Sequence, residues 1–200
     1  EFFESRHDER GIPKVPAAEW EKLIETYEKD DIRESLAEYI HSNKFGFPIK
    51  IIDSSKLKKL FKEFCSRSLL DQVKNFDVVE ERYPYLHKYS DKPLGVIDKS
   101  HYFNPVSDYF QQENRMKCGS NTSPAPLEIW NDQKKLSKMN WTFWRKGIIG
   151  DNDLTAKNFR SAFRLGTYTA TQFKPSVAKV IYETHGAKNV LDTSCGWGDR

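Results

Sequence analysis

The strongest fold signal in this chain of 200 residues is the run Val190-Leu191-Asp192-Thr193-Ser194-Cys195-Gly196-Trp197-Gly198-Asp199-Arg200. A short apolar segment ends in an acidic residue, and two glycines follow in the pattern D-x-x-x-G-x-G. In an open α/β sheet, ligands bind in the crevice at the carboxyl ends of the strands. Glycines lack a Cβ atom, so the backbone can approach such a ligand closely. The run therefore predicts a buried strand over residues 189–192 and a loop that binds a nucleoside cofactor.

An amphipathic helix is predicted immediately before this strand. Pro175 presets the first turn of a helix over residues 176–184, and Gly186 is a natural left-handed stop for it. The order of helix, tight turn, strand and glycine loop is the order in which an α/β nucleotide-binding fold begins. We therefore expect a Rossmann-like α/β domain to start near residue 171 and to continue beyond Arg200, which makes the chain a fragment.

The residues upstream of this domain predict a largely helical region. Apolar residues at 3-4 spacing indicate helices over 16–29 and 31–42, and a third helix that Asp53 or Ser54 caps. A short strand is expected within residues 45–52, and Pro48 places it at a sheet edge. The later signals are weaker.

The predicted fold class is mixed α and β, in three parts. A helical and irregular accessory region covers residues 1–130, with one helix near 106–116. A basic, aromatic connecting segment covers 131–170, and the start of the α/β domain covers 171–200.

Positive charge is concentrated in the last third of the chain. The net charge is only +3, but residues 133–179 hold ten basic side chains against the two acidic residues Asp151 and Asp153. A basic segment beside a cofactor loop predicts a polyanionic substrate, although a solvated surface is the alternative. Cations would contact phosphates, and aromatic rings would stack on bases. The candidate nucleic-acid contacts are Lys134, Lys135, Trp141, Trp144, Arg145, Lys146, Arg160 and Arg164. The two tryptophans could instead be core residues.

Composition argues against several other classes of protein. The mean hydropathy of -0.75 and the lack of a long apolar stretch argue against a membrane protein. The charged N-terminus lacks the pattern of a secretory signal, and three widely spaced cysteines favour a reducing compartment. The five histidines never fall at ligand spacing, so no metal site is expected. We therefore expect a cytoplasmic or otherwise intracellular protein.

Residues 171–200 resemble the paired cofactor segments of class I S-adenosylmethionine-dependent methyltransferases. The likeness is closest to the DNA amino-methyltransferases, which modify adenine N6 or cytosine N4. That family has a T-Q-K-P-like element before a helix and a V-L-D-P-x-x-G-x-G strand and loop after it. Here Phe173 is inserted into the first element and Thr193 replaces the proline of the second. Trp197 and Asp199-Arg200 replace residues that are commonly small.

The resemblance implies S-adenosylmethionine as cofactor and assigns residues to its pocket. Asp192 and the backbone around the loop would hold the methionine part of the cofactor; these loop residues are Ser194, Cys195, Gly196, Trp197 and Gly198. The other side of the pocket would be lined by Thr171, Phe173, Lys174 and Pro175. A solvated helix start is the alternative for Lys174, and a core position is the alternative for Phe173.

The resemblance also implies where the catalytic residues lie. The family uses a [DNS]-P-P-[YFW] tetrapeptide to hold the target amino group, and neither Asn104-Pro105-Val106-Ser107 nor Ser123-Pro124-Ala125-Pro126 matches it. The catalytic segment is therefore expected beyond Arg200, and this chain alone is expected to be inactive. The implied function is methyl transfer to a base amino nitrogen of DNA. The alternatives are an RNA methyltransferase and a non-enzymatic nucleic-acid-binding module whose glycine loop is only a turn.

Overall fold

A computed structural model describes residues 2–74, 96–97, 100–140 and 153–191 of the chain. These residues are mostly helical. The helices are α1 (Ala17–Thr26), α2 (Lys29–Ser42), α3 (Ser54–Ser66), α4 (Asn104–Met116), α5 (Pro126–Trp130), α6 (Gln133–Met139), α7 (Ala156–Gly166) and α8 (Pro175–Thr184). A 3-10 turn spans Leu70–Gln72. It leads into β1 (Val73–Lys74), which pairs antiparallel with β2 (Val96–Ile97).

The chain divides into two compact units. Unit 1 comprises Glu1–Lys50 and Glu113–Ala170, and unit 2 comprises Ile51–Gln112 and Thr171–Arg200. One boundary between the units falls between Ala170 and Thr171, and the predicted division of the chain into three parts stays a prediction. Each unit has its own buried apolar cluster.

The core of unit 1 is built on α2, which packs against α1 and α6; α6 also contacts α5 and α7. Its largest fully buried side chains are Trp20, Leu36, Ile40, Trp130, Leu136, Phe159 and Phe163. The helical faces predicted for α1 and α2 are buried in this cluster at most positions. Tyr27 is an exception, because α1 ends at Thr26 and leaves the Tyr27 side chain 58% exposed.

Two segments that are distant in sequence close the core of unit 1. Val15 and Leu154 exchange backbone hydrogen bonds of 3.0 and 2.7 Å, and both side chains are fully buried. The Asp153 carboxylate accepts a hydrogen bond of 3.1 Å from the Ala17 N–H. Since the first N–H groups of a helix have no partner within it, Asp153 satisfies one of them from outside α1.

The strand predicted within residues 45–52 is not formed. Two carbonyls of this segment bind arginine side chains instead of a neighbouring strand. Arg160 donates to the Pro48 carbonyl at 2.9 Å, and Arg10 donates to the Ile49 carbonyl at 2.8 Å. The segment therefore crosses unit 1 as an irregular chain, with the Phe47 ring edge-on to Trp130 at 5.4 Å.

The core of unit 2 is smaller. Leu69, Phe103 and Val180 are buried in it, and partly buried side chains from α3 and β1 pack around them. The Asp53 side chain caps α3 by accepting from the Lys56 N–H at 2.9 Å, as the sequence predicts. On α3, Leu57 is buried, whereas Phe61 is 50% exposed, so the apolar face of this helix is only partly covered.

The helix predicted before the glycine loop is present as α8, and it ends as expected. Gly186 has a φ of +57°, its N–H bonds the Glu183 carbonyl at 3.1 Å, and the Ala187 N–H bonds the Tyr182 carbonyl at 2.9 Å. These two bonds define a Schellman motif, in which a glycine in the left-handed region ends the helix.

The buried strand predicted over residues 189–192 is wrong for the residues that the structure describes. Residues 189–191 form no strand, and Val190 and Leu191 are 50% and 90% exposed. A parallel strand takes its hydrogen bonds from neighbouring strands. Within the described ranges, the only paired strands are β1 and β2, so this segment has no sheet to join.

No helix among the described residues is both long enough and apolar enough to cross a membrane.

Candidate functional site

The predicted cofactor segment, residues 171–175, leads directly into α8 in unit 2. Thr171 is exposed and the Phe173 ring is 40% exposed, whereas Pro175 is buried as the first residue of the helix. Lys174 is the residue before the helix, and its Nζ atom donates to Ser100 Oγ at 3.1 Å. Lys174 therefore connects this segment to the residues before α4. Phe173 is the large apolar side chain that this segment exposes to solvent.

One polar atom of this segment and one of the helix that follows it are buried without a hydrogen-bond partner in the described part of the chain. They are Gln172 Oε1 and Ser176 Oγ, and the Ser176 side chain is fully buried. Buried polar oxygens in folded proteins are almost always hydrogen-bonded. Leaving one unsatisfied costs about 1–3 kcal/mol. Gln172, directly before Phe173, and Ser176, three residues after it, are therefore candidates for hydrogen bonds that the described residues do not supply.

The other residues predicted to bind the cofactor lie outside the described residues. They are Asp192, Ser194, Cys195, Gly196, Trp197 and Gly198. Their role stays a prediction that rests on their sequence pattern.

The predicted cations of α6 differ in their surroundings. Lys134 is exposed. The Lys135 ammonium pairs with Glu128 Oε1 at 2.5 Å and lies 3.8 Å from Asp132 Oδ2. The hydrogen bond to Glu128 raises the pKa of Lys135. The backbone N–H of Lys135 lowers the pKa of Asp132, whose carboxylate caps α6. Lys135 therefore pairs with two acidic side chains at the start of α6. Among the described residues, no acidic side chain pairs with Lys134, so its charge is exposed to solvent.

Three arginines of unit 1 form a second basic group, which we call the arginine cluster: Arg10, Arg160 and Arg164. Arg160 and Arg164 lie one turn apart on α7, so they share a face of the helix. Arg10 and Arg160 bind the adjacent carbonyls of Ile49 and Pro48. Burial, together with the charges of Arg10 and Arg164, lowers the pKa of Arg160. The Arg160 guanidinium is therefore close enough to those of Arg10 and Arg164 to be repelled by each of them.

The charge of the arginine cluster is only partly balanced by acidic groups. Asp8 Oδ2 lies 3.5 Å from Arg10. Arg164 is exposed, and within the described ranges no carboxylate pairs with it or with Arg160. An anion bound beside Arg164 would relieve the repulsion, and guanidinium groups suit phosphate because they can bind two of its oxygens at once.

The remaining nucleic-acid candidates lie outside the described residues: Trp141, Trp144, Arg145 and Lys146. The described residues contain no group of three or more histidine, cysteine or acidic side chains that could hold a metal ion.

The structure adds residues that no sequence pattern singles out. Arg10 joins the arginine cluster although it lies 150 residues before Arg160, and no local pattern marks it. Gln172 belongs to the element that resembles T-Q-K-P, Thr171-Gln172-Phe173-Lys174-Pro175, but the burial of its side chain cannot be read from the sequence. The sequence marks Ser176 only as the start of a helix.

Comparisons with protein-family models, with curated proteins and with solved structures gave no match to this chain. The function is therefore argued from the chain's own residues.

Proposed function

We propose that this chain is part of an S-adenosylmethionine-dependent DNA methyltransferase that transfers a methyl group to a base amino nitrogen. In this proposal, residues 171–200 begin a Rossmann-like domain. The observation that carries it is the segment before α8, where Phe173 is 40% exposed and the preceding residue, Gln172, has a buried Oε1 atom without a hydrogen-bond partner among the described residues. Its helix ends in a glycine cap just before the D-x-x-x-G-x-G sequence.

The chemistry of these side chains suits this cofactor. The amide oxygen of Gln172 is an acceptor for an ammonium group, and the Ser176 hydroxyl can donate to a carboxylate or accept from an amine. The Phe173 ring would cover the apolar part of the ligand and exclude water from it. When bound, S-adenosylmethionine supplies a methyl group on a positively charged sulfur. A base nitrogen attacks the carbon of this methyl group. The residues of this chain bind and orient; the groups that hold the target base are expected elsewhere in the protein.

The arginine cluster supports a polyanionic substrate. Arg164 is exposed, whereas Arg10 and Arg160 bind backbone carbonyls. Lys134 adds an exposed cation in the same unit. Phosphate contacts of this kind give affinity without sequence preference, and they are weakened by salt. They fit DNA and RNA equally, so the choice of polymer is an outcome of the substrate assay.

Titration calorimetry with S-adenosylmethionine tests the cofactor proposal. The protein is used as the full-length product of its gene. We expect Gln172→Ala and Phe173→Ala each to weaken binding by roughly ten-fold, because each removes a group that touches the cofactor. Tyr168→Ala is the matched control, since Tyr168 is an exposed aromatic residue just before the segment.

Two results would contradict this proposal. If the wild type and both variants bind S-adenosylmethionine with the same affinity, residues 171–175 are not part of the cofactor site. If the protein binds DNA but has no affinity for S-adenosylmethionine, it is a non-enzymatic nucleic-acid-binding module.

A further inference from the structure

An aromatic groove of about 540 Å³ lies between α3, α4 and α8 in unit 2. Four aromatic rings line it: Phe61 and Phe64 from α3, Phe110 from α4 and Tyr182 from α8. The groove extends to Pro175, so it adjoins the proposed cofactor segment within the same unit. Its volume is in the range of sites that bind small organic groups.

Two of these rings are exposed although they sit on regular helices. The Phe61 side chain is 50% exposed and the Phe110 side chain is 69% exposed. Tyr109, next to Phe110, is 47% exposed and meets its ring edge-on at 5.0 Å. By contrast, Phe64 packs against the buried Phe103 at 5.0 Å. Phe64 is thus held by packing at the base of the groove, whereas Phe61 and Phe110 are exposed at its edges. Apolar groups that are exposed together mark binding surfaces.

The edge formed by α3 is positively charged. Lys58 and Lys62 are exposed and lie one turn apart on α3, with Lys58 one turn before Phe61. No acidic side chain within the described ranges pairs with either lysine. Lys179, which also lines the groove, is differently placed: its ammonium binds the Phe64 and Cys65 carbonyls and pairs with Glu183 at 3.6 Å. Lys58 and Lys62 do not line the groove itself; within the described residues, they are unpaired cations on the helix that forms one of its edges.

We propose that this groove binds single-stranded nucleic acid, with bases stacked on Phe61 and Phe110 and phosphates at Lys58 and Lys62. In a single nucleic-acid strand, each base lies near a phosphate. An aromatic ring can bind the base, and unpaired lysines on the same helix can bind the phosphate. The faces of bases are accessible only where they are unpaired and unstacked, so a single strand fits these rings and a duplex does not. This inference rests on the proposed function, because it assigns a second binding surface for the same polymer next to the cofactor segment.

Fluorescence anisotropy with two labelled probes tests the groove. One probe is a short oligothymidylate, and the other is an abasic oligonucleotide of the same length, which keeps the phosphates and lacks the bases. We expect the double variant Phe61→Ala/Phe110→Ala to bind oligothymidylate about ten-fold or more weakly, because the bases can no longer stack on aromatic side chains. Its affinity for the abasic probe should not change.

The lysines and the conservative variant give independent readouts. Lys58→Gln/Lys62→Gln should weaken both probes and reduce the salt dependence of binding by about 0.7 in log–log slope for each phosphate that is no longer neutralised. Phe110→Trp keeps a stacking surface and should retain oligothymidylate binding. The matched controls are Tyr27→Ala, an exposed ring on the other unit, and Lys22→Gln, an exposed lysine there. Circular dichroism confirms that each variant is folded.

Three outcomes overturn the inference. The first is unchanged oligothymidylate affinity in the double aromatic variant. The second is an equal loss of affinity for both probes in that variant, which means that the rings do not stack on bases. The third is a change in oligomeric state on size-exclusion chromatography with unchanged affinity for the probes, which makes the groove a protein interface. The groove variants should keep the wild-type affinity for S-adenosylmethionine, whereas Phe173→Ala should lose it, so failure of the groove and failure of the proposed function are distinguishable.

Discussion

Gly186 is the residue whose backbone determines how the chain leaves α8. Its φ of +57° lies in the left-handed region, and a Cβ atom added there would meet no atom within 4 Å. A substitution therefore changes only the backbone energy, not the packing. The same residue directs the chain toward the D-x-x-x-G-x-G run.

We expect Gly186→Ala to lower the free energy of unfolding by about 1 kcal/mol, because alanine is strained in the left-handed region. Gly186→Asn should cost less, since asparagine tolerates this conformation. Urea unfolding of the three proteins measures both values. Equal stability of the alanine variant and the wild type would contradict the glycine cap.

Asp53 is a second residue whose effect on stability can be predicted. Its carboxylate accepts from Ser55 Oγ at 2.5 Å and from the Lys56 N–H at 2.9 Å. The bond from Ser55, followed by that from Lys56, lowers the pKa of Asp53. A carboxyl group whose pKa is lower in the folded state stabilises the protein above its unfolded pKa, which is about 3.9, and loses that contribution as pH falls through the folded value.

The thermal stability of Asp53→Asn should therefore differ most from that of the wild type near neutral pH. Asparagine can still cap the helix, but it has no charge to strengthen the hydrogen bonds. We expect the gap in thermal midpoint between wild type and Asp53→Asn to narrow as pH falls from about 6 to about 3. Thermal melts followed by circular dichroism measure it. A gap that is constant or grows on acidification would contradict the prediction.

At the scale of elements, α8 is held in unit 2 by two charged side chains that act on the end of α3 and the turn after it. Lys179 donates to the last carbonyls of α3, at Phe64 and Cys65. Glu183, one turn later, accepts from the buried residue Leu69 through its N–H at 2.8 Å and from Ser68 Oγ at 3.2 Å. A positive charge at the end of a helix and an acceptor for an unpaired N–H are both stabilising.

Glu183→Ala should destabilise the protein by about 1–3 kcal/mol, because the Leu69 N–H then loses its acceptor. Glu183→Gln keeps an acceptor and should cost less. Glu113→Ala is the control, since Glu113 forms an exposed i,i+4 pair with Lys117 at 2.8 Å and such pairs contribute little. Chemical denaturation ranks the three variants. If Glu183→Ala cost no more than Glu113→Ala, the hydrogen bonds of Glu183 would not stabilise α8.

The elements show which features local sequence could predict. Helices α1, α2, α3 and α8 follow from apolar spacing, and two of them also have a local cap, Asp53 for α3 and Gly186 for α8. The segment within residues 45–52 could not be predicted, because its carbonyls bind Arg10 and Arg160, which are far away in sequence. Residues 190–191 have the composition of a strand but no partner strand among the described residues.

At the scale of the whole molecule, the proposed binding surfaces are divided between two units that each have a core. The cofactor segment and the aromatic groove belong to unit 2, and the arginine cluster belongs to unit 1. Local sequence patterns predict the cofactor segment and Arg160. They do not reveal Arg10 or the groove, because both arise from residues that only the fold brings together.

Transfer of a labelled methyl group most directly tests the central claim. The full-length product of the gene is incubated with methyl-tritiated S-adenosylmethionine and DNA. We predict label on a base amino nitrogen of DNA, strongly reduced by Gln172→Ala and unchanged by Tyr168→Ala. A protein that binds DNA but neither binds the cofactor nor labels any nucleic acid would contradict the claim.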